Sequence, residues 1–103
     1  MPCIVTGDFN SKPDSPAYAT LVKGVGGKGF HLDDVRDAAA EKKIVTNQNP
    51  EPVYDPANRI DHIFTAGKAS FKIHRWAVDM TTFGEKARYP SDHLAISARI
   101  TIE

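Results

Sequence analysis

The sequence has one cysteine, no excess of charge of either sign and no long hydrophobic run. Cys3 has no second cysteine with which to form an internal disulfide, and four His with one Cys lack the paired spacing of a structural zinc site. Thirteen basic and thirteen acidic residues give a formal net charge of zero. No overall field therefore attracts nucleic acid or an anionic membrane, and any phosphate must be bound by local groups.

Apolar runs are only a few residues long, and Met1-Pro2-Cys3 leads directly into a strand-like segment. These features predict neither a membrane-spanning nor a targeting segment within this sequence, and they leave its localisation open. A length of 103 residues, of which 41% are apolar, is typical of an ordinary globular domain with one core. We therefore expect residues 1–103 to form a single unit.

The first half of the chain predicts one strand and two helices. Cys3 to Thr6 is a β-branched run closed by Gly7, as in a buried strand. Ser15 is suited to cap a helix from Pro16 to Lys23, before the glycine-rich loop 24–27. Acidic residues at the start and lysines at the end of Asp33 to Lys43 favour a second short helix there.

The second half predicts three strands joined by polar loops. Three proline dipeptides within residues 46–58 indicate an extended loop. Strands are predicted at Arg59 to Thr65, Ser70 to Val78 and His93 to Ile102, separated by a turn at Gly67-Lys68 and a loop from Asp79 to Asp92. The last strand presents one apolar face, formed by Leu94, Ile96, Ala98, Ile100 and Ile102. The order of elements predicts an α/β or α+β layered fold with a mixed or antiparallel sheet and short helices.

Three short segments carry polar groups suited to chemistry. They are Gly7-Asp8-Phe9-Asn10, Arg59-Ile60-Asp61-His62-Ile63-Phe64 and Tyr89-Pro90-Ser91-Asp92-His93. Each places an acid at the end or edge of a predicted strand, where side chains from different strands can converge.

In this order, the three segments resemble the endonuclease/exonuclease/phosphatase superfamily. That resemblance implies the fold of deoxyribonuclease I, a four-layer sandwich of two packed sheets flanked by helices, of which this chain would form the C-terminal half. It also implies an enzyme, a Mg²⁺- or Mn²⁺-dependent phosphoesterase that hydrolyses a phosphodiester or phosphomonoester with an activated water. The substrate itself is left open.

The resemblance also implies roles for five residues. Asp8 corresponds to an acid that handles a proton, and Asn10 to an amide that holds the scissile phosphate. Asp61 corresponds to a carboxylate that orients a histidine, Asp92 to a metal- or water-handling acid, and His93 to the catalytic histidine. Asp8 and Asp92 are the expected metal ligands, since carboxylates supply the oxygen ligands that Mg²⁺ prefers. We expect all five side chains to meet at one phosphate.

Each of these residues also has a structural interpretation. Asp8 and Asn10 are common turn residues, and Asp61 could pair with Arg59 or Arg99 on a surface. Asp92 could cap a loop, and His93 could be a half-buried strand residue. We interpret the remaining histidines as surface or edge-strand residues, Trp76 and Phe71 as core residues, and Cys3 as a buried small hydrophobe. The remaining histidines are His31, His62 and His74.

The resemblance covers nearly all of this sequence but only the C-terminal part of the family's domain. Members carry an early Asn and a metal-binding Glu ahead of the GDFN segment, and no counterpart precedes it here. We therefore expect metal binding to be weak in this chain alone. The alternative function is a catalytically silent module that pairs with the N-terminal half or with a second copy, through the apolar face of the last strand.

Overall fold

The computed structural model describes residues 2–24, 31–67 and 70–103. Within these ranges the chain forms two three-stranded sheets and short helices, which confirms the predicted mixed α/β class. The strands are β1 (Cys3–Asp8), β2 (Asp33–Asp34), β3 (Glu41–Val45), β4 (Asp61–Ala66), β5 (Phe71–Asp79) and β6 (Ala95–Ile102). The helices are α1 (Pro16–Lys23) and α2 (Val35–Ala38), with a 3₁₀ turn at Pro56–Asn58.

The first sheet has the order β1-β4-β2 and is antiparallel throughout. Strand β4 lies in the centre, and it is buried from His62 to Ala66. Strand β1 lies at an edge and is mostly exposed, so the prediction that Cys3 is a buried hydrophobe is wrong. A β-branched run indicates a strand, but it does not distinguish an edge strand from a central one.

The second sheet has the order β3-β5-β6, with β3 parallel and β6 antiparallel to the central β5. Trp76 and the two residues after it are buried, as expected for a strand covered by neighbours. His74, predicted to lie on a surface or an edge strand, lies half-buried on this central strand and hydrogen-bonds Thr101 Oγ1.

Helix α1 has the predicted bounds, and the Ser15 side chain accepts a hydrogen bond from the Tyr18 N–H, as an N-cap does. The predicted helix from Asp33 to Lys43 is wrong. Asp33–Asp34 pairs with β4, only Val35–Ala38 is helical, and Glu41–Val45 pairs with β5. Pairing with the two central strands gives hydrogen-bond partners to more backbone N–H and C=O groups than a marginally stable isolated helix of this length would.

The main core lies between the two sheets. It contains the buried side chains of Val35, Ala39, Ile63, Ile73, Trp76, Val78 and Met80. Leu94, just before β6, and Ile96, Ala98 and Ile100 of β6 pack against this core, so the expectation of an uncovered apolar face is wrong for these four. Ile102 is the exception, with 49% of its surface exposed. Self-association itself stays a prediction.

A second core lies beneath α1. It contains Tyr18, Leu32, Phe64 and Ala66. Together the two cores hold β4 from both faces, so the strand that begins with Asp61 is the most firmly packed of the first sheet. No helix in the described ranges is long and apolar enough to cross a membrane. The glycine-rich loop 24–27 lies mostly outside the described residues, as does Lys68 of the predicted turn.

Candidate active site

Strand pairing brings two acids of the sequence motifs together. Asp8 ends β1, Asp61 begins β4, and the antiparallel register sets them directly opposite each other. The pairing extends one residue further, because the Phe9 N–H donates to the Ile60 carbonyl at 2.9 Å. Both carboxylates therefore stand at the same edge of the first sheet.

His93 approaches this edge from the segment that precedes β6. Its Nδ1 lies 2.8 Å from Asp61 Oδ2, and its Nε2 lies 3.8 Å from Asp8 Oδ2. One oxygen from each acid and one ring nitrogen all lie within 4.8 Å of one another. We call Asp8, Asp61 and His93 the triad.

The electrostatics of the triad favour a protonated imidazole. The hydrogen bond that His93 donates to Asp61 and the negative charge of that carboxylate raise the pKa of His93 above its usual 6.5. The charges of Asp8 and Asp92 act in the same direction, although more weakly. Since Nδ1 is bonded to Asp61, Nε2 is the nitrogen free to act towards Asp8.

The two other predicted site residues lie beside the triad. Asn10 adopts a left-handed conformation with a φ of 48°, and its backbone N–H donates to Asp8 Oδ1 at 2.9 Å. Its side chain is exposed and lines neither of the two clefts described below. Asp92 accepts a hydrogen bond from Ser91 Oγ at 3.3 Å and lies outside the triad. The structure therefore brings three of the five residues together, and the roles of all five remain predictions.

Two clefts meet at the Asp61-His93 pair. The first cleft, of about 520 Å³, contains Asp8 and continues under the loop that joins β5 to β6. The second, of about 580 Å³, contains Asp92 and continues along Val53 to Asp55. A ligand can therefore reach the imidazole from either side.

His62 is buried, and its prediction as a surface or edge-strand residue is wrong. Only 2% of its surface is exposed, and its ring lies among the aromatic rings of Phe9, Tyr18 and Phe64. Its Nε2 lies 2.6 Å from the carbonyl oxygen of Ser11, which can only accept, so Nε2 carries the proton. This bond ties the turn that contains Asn10 to the strand that carries Asp61.

A buried ion pair fixes the start of β4, and the sequence motifs did not reveal it. Arg59 Nη2 lies 2.6 Å from Asp34 Oδ2, which also accepts a hydrogen bond from the Tyr18 hydroxyl. Arg59 Nη1 donates to the Pro56 carbonyl at 2.7 Å. Arg59 therefore pairs with Asp34 rather than with Asp61. The RIDHIF segment indicates only that Arg59 and Asp61 face the same side of a strand. It does not indicate the actual partner of Arg59, because Asp34 is distant in sequence.

Only some of the triad's oxygen and nitrogen atoms are suited to bind a divalent cation. Mg²⁺ keeps several waters and commonly takes one or two protein carboxylates together with substrate phosphate oxygens. Asp8 meets this requirement, since its side chain is 39% exposed and its Oδ2 lies 3.8 Å from His93 Nε2, too far for a hydrogen bond. Asp61 already accepts the short bond from His93, and Asp92 stands apart. Within the triad, Asp8 therefore has the carboxylate better suited to bind a cation, and its role as a metal ligand stays a prediction.

A family model described as the endonuclease/exonuclease/phosphatase family matches residues 1–93. The chain belongs to the endonuclease/exonuclease/phosphatase family. The resemblance carried by the three motifs is thereby confirmed, and so is the correspondence to the C-terminal part of the domain. A comparison with curated proteins finds no match.

Solved structures of this family have the same fold. A mannosyl-6-phosphatase of Bacteroides thetaiotaomicron is 30% identical with a TM-score of 0.71, over 98% of this chain and 38% of its own. A family member from Bacteroides vulgatus is 26% identical with a TM-score of 0.69, over 99% and 37%. A second family protein from Bacteroides thetaiotaomicron is 31% identical with a TM-score of 0.69, over 97% and 37%. The chain therefore spans little more than a third of the length of these relatives.

Proposed function

We propose that the domain containing this chain hydrolyses phosphate esters by attack of an activated water, with Mg²⁺ or Mn²⁺ as cofactor. The observation that carries the proposal is the 2.8 Å bond between Asp61 and His93, with Asp8 facing the other ring nitrogen at 3.8 Å. Membership of the family supports a phosphoesterase in general. The metal and the roles below are part of the proposal.

His93 is the group that meets the phosphate. Asp61 fixes the ring orientation and stabilises the imidazolium, so that Nε2–H can donate to a phosphate oxygen as negative charge develops. Such a donor is effective only if it is held before the reaction, and the bond to Asp61 supplies that restraint. Asp61 therefore acts through His93 as a positioning residue.

Asp8 and Asn10 supply the other two roles that we propose for this chain. Asp8 can accept a proton from the attacking water, because its carboxylate is exposed to the first cleft. The Asn10 amide can donate to a phosphate oxygen without adding charge. A bound divalent cation, with Asp8 as one ligand, would offset the negative charge of the phosphate.

A phosphomonoester of a sugar is the substrate class we propose first. One family member that this chain resembles is a mannosyl-6-phosphatase, and the two chains are 30% identical over 98% of this one. A net charge of zero also provides no general attraction for a polyanion such as DNA or RNA.

The second candidate function is a silent module, inactive without a partner. The observation that favours it is that the chain spans only 37–38% of its solved relatives. In that case the partner is either the rest of a domain or a second copy, and sedimentation of the 103-residue chain at micromolar concentration would separate a dimer from a monomer.

The test is phosphate release by the full-length protein that contains this chain, with Mg²⁺, from mannose 6-phosphate and from bis-p-nitrophenyl phosphate. We expect His93→Ala to lower kcat by about a hundredfold or more, as is typical when a held donor to the developing negative charge is removed. The matched control is His31→Ala, because His31 is exposed and contacts only Asp33, at 3.8 Å, among the described charged residues. Absence of release from both esters, or equal rates for both variants, would contradict the proposal.

A further inference from the structure

The first cleft extends beyond the triad to a wall formed by the loop between β5 and β6. Phe83 is the large apolar residue of this wall, and 60% of its surface is exposed. An exposed phenyl ring costs hydration free energy, and in the same cleft as a reactive centre it provides a flat apolar face to a ligand.

One part of this loop, residues 83–88, is closed by an antiparallel bridge. The Phe83 N–H donates to the Arg88 carbonyl at 2.8 Å, and the Arg88 N–H donates to the Phe83 carbonyl at 3.0 Å. Gly84, at the start of the turn, has a φ of 78°, a conformation that glycine adopts without strain. Phe83 is therefore held by two backbone bonds at the base of a closed turn.

Two amide side chains clamp both ends of the same loop. The Asn47 amide bonds the backbone of Thr82 twice, since its Nδ2 donates to the carbonyl at 2.8 Å and its Oδ1 accepts from the N–H at 2.9 Å. Gln48 Nε2 lies 2.9 Å from both the Met80 carbonyl and the Tyr89 hydroxyl. The wall is therefore ordered before a ligand arrives, which lowers the entropic cost of binding.

Apart from the His93 imidazole, the charged side chains that line the first cleft are negative. Three carboxylates line it, those of Asp8, Asp61 and Asp79, and within residues 2–24, 31–67 and 70–103 it is lined by neither Lys nor Arg. A ligand that carries several phosphates would meet repulsion here without a compensating cation from the wall. This pattern favours a ligand with one phosphate and an otherwise uncharged body.

Asp79 is placed to contact such a body. It ends β5 opposite Ala95, two residues after His93, and its Oδ1 accepts the Thr81 N–H at 2.9 Å. Hydrogen bonds from the Thr81 side chain and backbone lower the pKa of Asp79, which keeps it a carboxylate acceptor at neutral pH. An acceptor beside an apolar face suits the hydroxyls of a polyol.

We infer that the first cleft binds the uncharged ring of a sugar monophosphate, with Phe83 packed against the ring and Asp79 accepting a ring hydroxyl. The inference rests on the proposed function and adds to it the residues that select the alcohol. Asp79 also disfavours a second phosphate, so nucleic-acid ends and sugar bisphosphates are poor substrates.

The test compares kcat/KM of the full-length protein for mannose 6-phosphate, ethyl phosphate and mannose 1,6-bisphosphate. We expect Phe83→Ala to lower the ratio of mannose 6-phosphate to ethyl phosphate about tenfold, and Phe83→Trp to retain it, because a flat aromatic face is what the ring contacts. We expect Asp79→Asn to raise the relative rate with the bisphosphate. Ile102→Ala is the matched control, since Ile102 is an exposed apolar residue outside both clefts.

The outcomes separate the inference from the function on which it rests. If no ester releases phosphate with the wild-type protein, the proposed function fails. If the esters are hydrolysed but Phe83→Ala leaves the ratio as it is in Ile102→Ala, the assignment of the cleft is wrong while the phosphoesterase stands. A preference of the wild-type protein for the bisphosphate would overturn the role of Asp79.

Discussion

The molecule contains two acid–base pairs of nearly equal length in opposite surroundings. Arg59 and Asp34 meet at 2.6 Å with side chains that are 6% and 5% exposed. His93 and Asp61 meet at 2.8 Å with side chains that are 42% and 25% exposed. Arg59 lies two residues before Asp61, the first residue of β4, so one short segment contributes a member to each pair.

Burial determines what each pair can do. The Arg59-Asp34 pair is almost fully buried, and it connects β2 to the start of β4. The His93-Asp61 pair is open to two clefts, so its proton and its charge can act on a substrate. A short contact between opposite charges can act on a ligand only where the ligand reaches it, and that condition separates the two pairs.

Removal of one partner of the buried pair should have the largest effect on the fold. We expect Arg59→Met to lower the free energy of unfolding by about 3–5 kcal/mol, because Asp34 is left as a buried charge without its cation. Unfolding in urea, followed by circular dichroism, measures this change.

The double variant Arg59→Met with Asp34→Asn is the control for this mechanism. The introduced amide would keep an oxygen to accept the Arg36 N–H, which now bonds Asp34 Oδ1 at 3.0 Å, but would carry no charge. The double variant should therefore be more stable than Arg59→Met alone. Equal losses in both would mean that lost packing, rather than an unpaired charge, explains the effect.

The same acid-to-amide change at Asp61 should have a large effect on activity and a small effect on stability. We expect Asp61→Asn in the full-length protein to lower kcat about a hundredfold, which corresponds to about 2.7 kcal/mol of transition-state stabilisation. The free energy of unfolding should change by less than about 0.5 kcal/mol, since the pair is partly solvated. Asp34→Asn is the matched comparison, and a larger loss of stability in Asp61→Asn than in Asp34→Asn would contradict the distinction between the pairs.

Local sequence signals predicted the elements whose formation depends on local interactions. Helix α1 has its predicted bounds because its cap and first-turn proline lie within the helix itself. The helix predicted from Asp33 to Lys43 failed because its residues pair with β4 and β5, which lie some thirty residues further along the chain. Charge order along a segment contains no information on such distant pairing.

The residues of the candidate site were likewise predicted only where the sequence signal was local. Asp8, Asp61 and His93 were found because each lies in a motif of a known family. The buried state of His62 and the pairing of Arg59 with Asp34 were not found, since both depend on tertiary contacts with loops and helices. Phe83 and Asp79 were not singled out because a lone aromatic or acid in a polar loop has no distinguishing spacing.

The smallest expected effect is a shift in the titration of His93. We expect the nuclear magnetic resonance titration of its ring to have a midpoint above the usual 6.5, because Asp61 bonds the ring and attracts its charge. Asp61→Asn should lower the midpoint more than Asp8→Asn, since Asp8 acts only through its charge at 3.8 Å. A midpoint at or below 6.5, or one unmoved by Asp61→Asn, would show that the pair does not hold the proton.

The raised pKa also fixes the sign of a pH effect on stability. A group that binds its proton more tightly in the folded state stabilises the fold fully below its unfolded pKa, and that contribution is lost as pH rises through the folded pKa. The stability advantage of the wild-type protein over His93→Gln should therefore be present at acidic pH and decline above about 6.5, the unfolded value for histidine. The Arg59-Asp34 pair should show no such decline there, because an arginine remains protonated throughout this range. The loss of stability in His93→Gln and in Arg59→Met, each measured by urea unfolding from about pH 5.5 to about pH 8.5, would thus distinguish the pair that titrates from the pair that does not.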